Sequence, residues 1–266
     1  MTSPDRHADR AAVFDRDDRR CRHCAADGDD ESVTLRAYPL DDDSANDAHE
    51  SSLVTVCDDC YATLESVPEP TSMANDDLFR LVRDTTGVQS ATISDIAAFA
   101  SLATSLPDTL ASAVDDGTDV DLDESIDEYR HTRRDVSLAL DIVDARLERI
   151  AALESAADPD VQSSLAAFSD AATDLQSSLR RVVELGETVA TGLDRCHGCF
   201  AALEDDPDAC PTCGLAVRET ADWRTDDGTL AFDRLFETIN ETLQEASTTT
   251  ETLTDRTMTL AEQLTA

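Results

Sequence analysis

Residues 196–214 read CHGCFAALEDDPDACPTCG, in which two Cys-x2-Cys pairs are separated by ten residues. A two-residue spacer lets one tight turn supply two ligands, and thiolate sulfur is the ligand that Zn²⁺ prefers in closed sites. Two further pairs occur upstream, so the eight cysteines form four pairs with none left over. The sequence therefore predicts two zinc sites, with the ligands Cys21, Cys24, Cys57 and Cys60 in the first and Cys196, Cys199, Cys210 and Cys213 in the second.

Disulfide bonds are the alternative use of these cysteines, and they belong to oxidising compartments. The first residues, MTSPDRHADR, are charged and lack the apolar core of a signal peptide, and no apolar run reaches the length of a membrane span. We therefore expect zinc rather than disulfide bonds, in a cytoplasmic protein with no membrane partner. Because four thiolates leave no open position for water, both zinc ions are expected to be structural.

The chain is strongly acidic, with 58 acidic residues, 21 basic residues and a formal net charge of -37. Every basic residue is arginine. In molar salt the Debye length falls to about 3 Å, which screens the repulsion among so many carboxylates. This composition is typical of a halophilic protein from an acidic proteome, folded in a high-salt cytoplasm. No basic stripe argues for a nucleic-acid-binding surface. Acidity that adapts the chain to salt is also no evidence against nucleic-acid binding.

Long helices are predicted on both sides of residues 196–214, because apolar residues recur there at spacings of three and four. We expect short helices over residues 72–114, restarting at Pro107, then two long helices over residues 119–193 and a third over residues 227–266. The fold class is therefore mainly α, with a long antiparallel three-helix bundle that carries the second cysteine group at its tip. A coiled-coil dimer formed through the same seams is the alternative.

Two residues interrupt the apolar seams of these helices. Arg133 is a charged residue at a seam position of the first long helix. Gly186 occupies a seam position of the second, where it marks either a weak point or a close approach of another helix. Both positions therefore need an explanation from packing.

Residues 194–218, within a unit that we delimit as residues 194–226, are similar to a zinc ribbon in the spacing of their cysteine pairs. Gly198 and Gly214 are expected to adopt the left-handed turns that aim backbone amides at sulfur. Zinc ribbons bind nucleic acid, bind proteins or cap a structure, and few arginines lie near this one. We expect it to act as a scaffold or a protein contact.

The N-terminal cysteine pairs lie in a more specific context. Residues 13–30 read VFDRDDRRCRHCAADGDD, and residues 51–65 read SSLVTVCDDCYATLE. Over residues 11–66, the order of an Arg-Asp segment, a cysteine pair, a strand and a second cysteine pair before a helix resembles the four-cysteine zinc subtype of the HNH endonuclease superfamily. The matching positions are Arg16, Asp17, Cys21, Cys24, Pro39, Leu53, Val54, Thr55, Cys57 and Cys60. The resemblance implies a ββα-metal fold for a module at residues 1–66.

The catalytic positions of that family are replaced in this chain. The resemblance implies that a general-base His, an orienting Asn and a metal-binding His would stand at Arg36, Ser52 and Tyr61. An arginine cannot accept a proton at neutral pH because its pKa lies above about 12, and a phenol is a poor ligand for Mg²⁺. His49, in the acidic loop of residues 41–49, is the one plausible substitute base or metal ligand. We therefore expect a degenerate nuclease site.

These observations favour a zinc-binding, HNH endonuclease-like protein that binds nucleic acid without cutting it, with Arg36 gripping a phosphate of duplex DNA. Further arginines lie near the same expected cleft, where they either contact phosphates as well or pair with neighbouring aspartates. They are Arg16, Arg19, Arg20 and Arg22. Two alternatives stay open. One is a helical and zinc-ribbon scaffold that binds itself or a partner protein; the other is an active nuclease that uses His49, nearby aspartates and an additional divalent metal ion.

Overall fold

The fold is taken from a computed structural model, which describes residues 5–40, 48–67, 73–116, 119–204, 207–226 and 228–265. Its N-terminal part contains α1 (Asp5–Arg16), β1 (Leu35–Pro39), β2 (Leu53–Cys57) and α2 (Asp58–Glu65). Four long helices follow, namely α3 (Asn75–Asp116), α4 (Asp119–Glu154), α5 (Pro159–Gly192) and α6 (Phe232–Thr265). The predicted class, mainly α with a small N-terminal ββα module and long helices, is confirmed. Within these helices no segment is long and apolar enough to cross a membrane.

Strands β1 and β2 form an antiparallel pair that packs between α1 and α4. Pro39 lies opposite Leu53 in the register of the pair. Every residue of β2 is buried, because the strand contacts helices as well as its neighbour. The core around it combines residues from the strand and from α4, namely Val54, Val56, Leu138 and Ile142. The N-terminal module is therefore fixed to the side of one long helix.

Helix α3 is continuous, although the sequence predicted short helices that restart at Pro107. A proline inside a helix removes one backbone hydrogen bond and costs about 3 kcal/mol. The apolar spacing nevertheless continues across it, since Leu106 is buried and Leu110 packs against the same core. This packing offsets the cost, and α3 contacts α4, α5 and α6. The bundle in the described residues therefore gains a fourth helix beyond the three that were predicted.

The predicted seams are buried inside this single chain. On α4, the core side chains include Val136, Leu140, Val143 and Ile150. A polar layer crosses this core: Gln89 Nε2 donates to the carbonyl of Ala172 at 3.0 Å, and Gln176 Nε2 donates to the carbonyl of Leu140 at 2.8 Å. Buried polar layers of this kind favour one helix register over others. The seams that a coiled-coil dimer would use are therefore already packed within one chain.

Gly186 is a point of close approach between α5 and α3. A methyl group at this position would lie 2.6 Å from Cε1 of Phe99. Gly186→Ala is therefore expected to lower the free energy of unfolding by about 1–3 kcal/mol through overpacking. Gly87 on α3 is the matched control, because a methyl group there meets nothing within 4 Å, and Gly87→Ala should stabilise by about 0.5–1 kcal/mol. Urea unfolding in molar KCl measures both, and changes of the same sign would contradict this packing.

Arg133, the charged residue in the predicted seam, is buried with a carboxylate from α5. Its Nε lies 2.6 Å from Oε1 of Glu187, and both side chains are 2% exposed. Arg218, which follows the second cysteine group, lies 2.6 Å from the other carboxylate oxygen. Burial raises the pKa of Glu187, but the charges of Arg133, His197 and Arg218 have the larger combined effect, and the resulting pKa is lowered to about 2. Arg133, Glu187 and Arg218 form an ion triad, which therefore attaches the second cysteine group to the bundle.

Candidate functional site

The cysteines converge in the two groups that the spacing predicted. Within each group, all four sulfur atoms lie within 4.8 Å of one another. Neighbouring sulfurs are separated by 3.6 Å between Cys24 and Cys57 and by 3.5 Å between Cys196 and Cys213. Four sulfurs that surround zinc tetrahedrally at about 2.3 Å are about 3.8 Å apart, whereas a disulfide bond is about 2.05 Å long. Both groups are therefore compatible with zinc, and all eight cysteines are free thiols.

Three of the four cysteine pairs end in the same left-handed turn. The residue after the second cysteine donates its backbone amide to the carbonyl of the first cysteine, and its φ is 59° at Ala25, 64° at Phe200 and 78° at Gly214. The prediction for Gly214 is confirmed, but that for Gly198 is wrong, since the turn falls on Phe200. The ring of Phe200 packs 5.6 Å from the ring of Tyr129, and this burial offsets the unfavourable backbone conformation.

Gly198 has a different role in the ribbon. A methyl group at Gly198 would lie 2.2 Å from Cδ1 of Leu215, so the absence of a side chain lets the two halves of the ribbon pack closely. The remaining pair, Cys57 and Cys60, lies at the start of α2 rather than in a turn. In the first group, the Cys60 thiol and backbone amides lower the pKa of Cys21 to about 4 against the effect of burial. The same contact raises the pKa of Cys60, so the group favours a single thiolate at Cys21, and zinc would have to displace the remaining protons.

The four positions of the expected nuclease site form two separate pairs. The Arg36 guanidinium lies 4.8 Å above the ring of Tyr61, at one end of the strand pair. At the other end, Ser52 Oγ donates to the carbonyl of His49 at 3.0 Å. Arg36 is three residues from the end of β1, which corresponds to about 10 Å along a strand. Among the described contacts, none joins the two pairs, so Arg36 and Tyr61 are brought together while Ser52 and His49 lie with each other.

His49 is engaged in local structure. Its Nδ1 accepts a hydrogen bond from the backbone amide of Ser51 at 3.2 Å, which caps the short turn Glu50–Ser52. The aspartates of residues 41–43, expected as its partners, lie outside the described residues. The described contacts therefore give His49 a capping role.

The arginines around the first cysteine pair form ion pairs with carboxylates. Arg16 binds both carboxylate oxygens of Asp17, and it also donates to the carbonyls of Glu50 and Leu53. Asp17 in turn accepts the backbone amide of Thr55 at 2.9 Å. The other pairs are Arg19 with Asp15, Arg20 with Asp27, and Arg22 with Asp135. Arg16 therefore fixes the end of α1, and Arg22 joins the first cysteine pair to α4, whereas the exposed pairs of Arg19 and Arg20 contribute little.

A cleft of about 590 Å³ lies between α1 and the strand pair, and we call it the α1–β1 cleft. It is lined by Arg10, Ala11, Phe14, Thr34, Leu35, Arg36, Ala37 and Tyr61. Among the side chains that the structure describes, no carboxylate lines this cleft; Asp58, which pairs with Arg36, is absent from its lining. Two arginines and two aromatic rings thus share one concavity in a chain of net charge -37. Sequence reasoning identified Arg36 and Tyr61 but missed Arg10 and Phe14.

A larger groove, of about 1030 Å³, lies between the first cysteine pair and helices α3 and α4. Three arginines and three aspartates line it, namely Arg22, Arg83, Arg146, Asp84, Asp95 and Asp135. Arg22 is paired with Asp135, and Arg83 with Asp84. The described lining of the α1–β1 cleft has two arginines and no carboxylate, and Asp58 pairs with Arg36 from outside that lining, so the smaller cleft is the better site for an anionic ligand.

Comparison with known proteins gives no guide to these sites. No family of known proteins, no curated protein and no solved structure matches this chain. The features of this chain that bear on function are therefore the geometry of the cysteine groups and the lining of the α1–β1 cleft.

Proposed function

We propose that this chain is a zinc-binding, HNH endonuclease-like protein that binds nucleic acid at the α1–β1 cleft and does not cut it. Two zinc ions hold the modules, one at each four-cysteine group. The observation that carries the proposal is the lining of the cleft: Arg10 and Arg36 supply positive charge, and Phe14 and Tyr61 supply aromatic surface. Arginine with aromatic rings is the combination that binds phosphates and stacks on bases.

The absence of cleavage follows from the groups at the cleft. A hydrolytic site needs a general base and ligands for a divalent metal ion. Arg36 provides neither, and Tyr61 is a weak ligand for Mg²⁺. The alternative, an active nuclease, is tested by incubating the protein with supercoiled plasmid and Mg²⁺ or Mn²⁺ in molar KCl. Nicking that His49→Ala abolishes would establish that alternative and overturn this proposal.

Two arginines are enough for binding in high salt only if other contacts assist them. Each phosphate contact contributes a slope of about −0.7 to −0.9 to the dependence of log K on log salt. Two contacts would therefore cost about tenfold in affinity between about 0.5 M and about 2 M KCl. Stacking on aromatic rings adds about 1–3 kcal/mol per base. The mixed lining of the cleft suits a protein that works in concentrated salt.

Arg36→Ala is expected to weaken oligonucleotide binding by about tenfold and to reduce the salt slope by about one, because one phosphate contact is lost. Fluorescence anisotropy of a labelled oligonucleotide across KCl concentrations measures both quantities. Asp58→Asn should strengthen binding instead, since Asp58 competes with phosphate for Arg36. Arg80→Ala is the matched control, because Arg80 also forms an exposed ion pair, with Asp77 on α3.

Two results would overturn the proposal. One is wild-type protein that binds neither single-stranded nor duplex oligonucleotides while it carries its full zinc content. The other is equal weakening by Arg36→Ala and Arg80→Ala, which would indicate nonspecific attraction to surface arginines rather than a site.

A further inference from the structure

The walls of the α1–β1 cleft are held in fixed positions. One wall is α1, which presents Arg10 and Phe14, and the other is formed by β1 and Tyr61. The end of α1 is fixed by Arg16, which donates to two backbone carbonyls near β2, at 2.7 Å to Glu50 and 2.8 Å to Leu53. The cleft is therefore a preformed concavity with an aromatic ring on each wall.

The form of nucleic acid decides whether those rings can be used. In a duplex the base faces are covered by neighbouring base pairs, and only groove edges and phosphates are offered to a protein. An unpaired base exposes its face, on which aromatic rings and guanidinium planes stack. A volume of about 590 Å³ lies within the range of small-ligand sites, about 300–1,000 Å³, so it suits one nucleotide.

The Arg36 and Tyr61 side chains form a platform for such a base. The guanidinium lies 4.8 Å from the centroid of the Tyr61 ring, and the Tyr38 ring packs against Tyr61 in a T-shaped arrangement with 6.4 Å between centroids. Phe14 lies on the opposite wall and Arg10 one helical turn before it on α1. A stacked base would thus contact aromatic rings, and its flanking phosphate would contact an arginine.

We propose that the α1–β1 cleft selects unpaired nucleotides, so that the nucleic acid bound under the proposed function is single-stranded. One base stacks between Phe14 and the platform of Arg36 and Tyr61, and the adjoining phosphate pairs with an arginine. Since stacking is less sensitive to ions than phosphate contacts are, this mode of binding persists in concentrated salt.

The test compares one labelled 12-nucleotide strand with the duplex of the same sequence, using anisotropy in molar KCl. The single strand is expected to bind at least about tenfold more tightly than the duplex. Phe14→Leu and Tyr61→Leu should each weaken single-strand binding by about fivefold or more. Phe79→Leu, which removes a half-buried aromatic ring from α3, is the control and should leave binding unchanged. Zinc content and circular dichroism show whether each variant is folded.

Failure of this inference is distinguishable from failure of the proposed function. Duplex binding at least equal to single-strand binding, reduced by Arg36→Ala but unaffected by Phe14→Leu, overturns the inference and leaves the proposed function standing. Absence of binding to both oligonucleotides overturns both. If Tyr61→Leu loses zinc, Phe14→Leu alone decides the result, because Phe14 lies on α1 outside both cysteine groups.

Discussion

Replacing Cys57 by serine is expected to reduce tightly held zinc from two ions per chain to one and to unfold the N-terminal module. Cys57 ends β2 and immediately precedes α2, so its sulfur ties the strand pair and this helix to the first cysteine pair. Structural zinc supplies about 10–16 kcal/mol in small modules, and the loss of one thiolate ligand removes much of that free energy. Metal analysis after dialysis against a mild chelator, together with urea unfolding in molar KCl, measures the effect.

Cys196→Ser is the matched variant in the second cysteine group. It should also lose one zinc ion but keep oligonucleotide binding. Cys57→Ser should lose one zinc ion and oligonucleotide binding as well, since only the first group adjoins the α1–β1 cleft. Helicity should largely persist in Cys57→Ser, because the bundle has a core of its own. Wild-type protein with fewer than two ions per chain, or Cys57→Ser with two, would contradict the zinc assignment.

Glu187→Gln is expected to lower the free energy of unfolding by about 3–5 kcal/mol, because it leaves the buried charge of Arg133 without its carboxylate. The pKa of Glu187 is lowered to about 2, so the contribution of this ion pair is fully present at neutral pH and is lost as the pH falls through that value. Urea unfolding at neutral pH in molar KCl measures the change.

Glu184→Gln provides the control on the same helix. Glu184 forms an exposed ion pair with Arg181 at 3.4 Å, so its loss should cost at most about 1 kcal/mol. A double variant, Arg133→Met with Glu187→Met, should be less destabilised than Glu187→Met alone, since it leaves no buried charge unpaired. Equal effects of Glu187→Gln and Glu184→Gln would show that the buried triad contributes nothing particular to stability.

The features that the sequence predicted well depend on local spacing. The cysteine groups follow from the two-residue spacers, and the seams of α4 and α5 follow from apolar residues three and four apart. The partner of Arg133 was harder to predict, because Glu187 lies 54 residues away. A charge at a seam position nevertheless requires an opposite charge on a facing helix, and that rule points to the few acidic residues in the seam of α5.

The errors arise where tertiary contacts override a local preference. Pro107 was expected to end a helix, but burial of its neighbours maintains α3. Gly198 was expected to take the left-handed turn, but packing on Tyr129 keeps Phe200 in that conformation. Arg10 and Phe14 carry no local signal of a site at all, since only the packing of α1 against the strand pair brings them to the cleft.

Helix α4 carries apolar side chains on two faces. Val136 and Leu140 belong to the bundle core, whereas Leu138 and Ile142 complete the core around the first cysteine group. The described bundle core contains no side chain of the N-terminal module, whereas the core around Val54 and Val56 is completed by α4. During synthesis on the ribosome, the first zinc-binding segment therefore emerges long before its apolar core can form. Its thiols are expected to stay exposed to competing metals and oxidants until the middle of the chain has been translated.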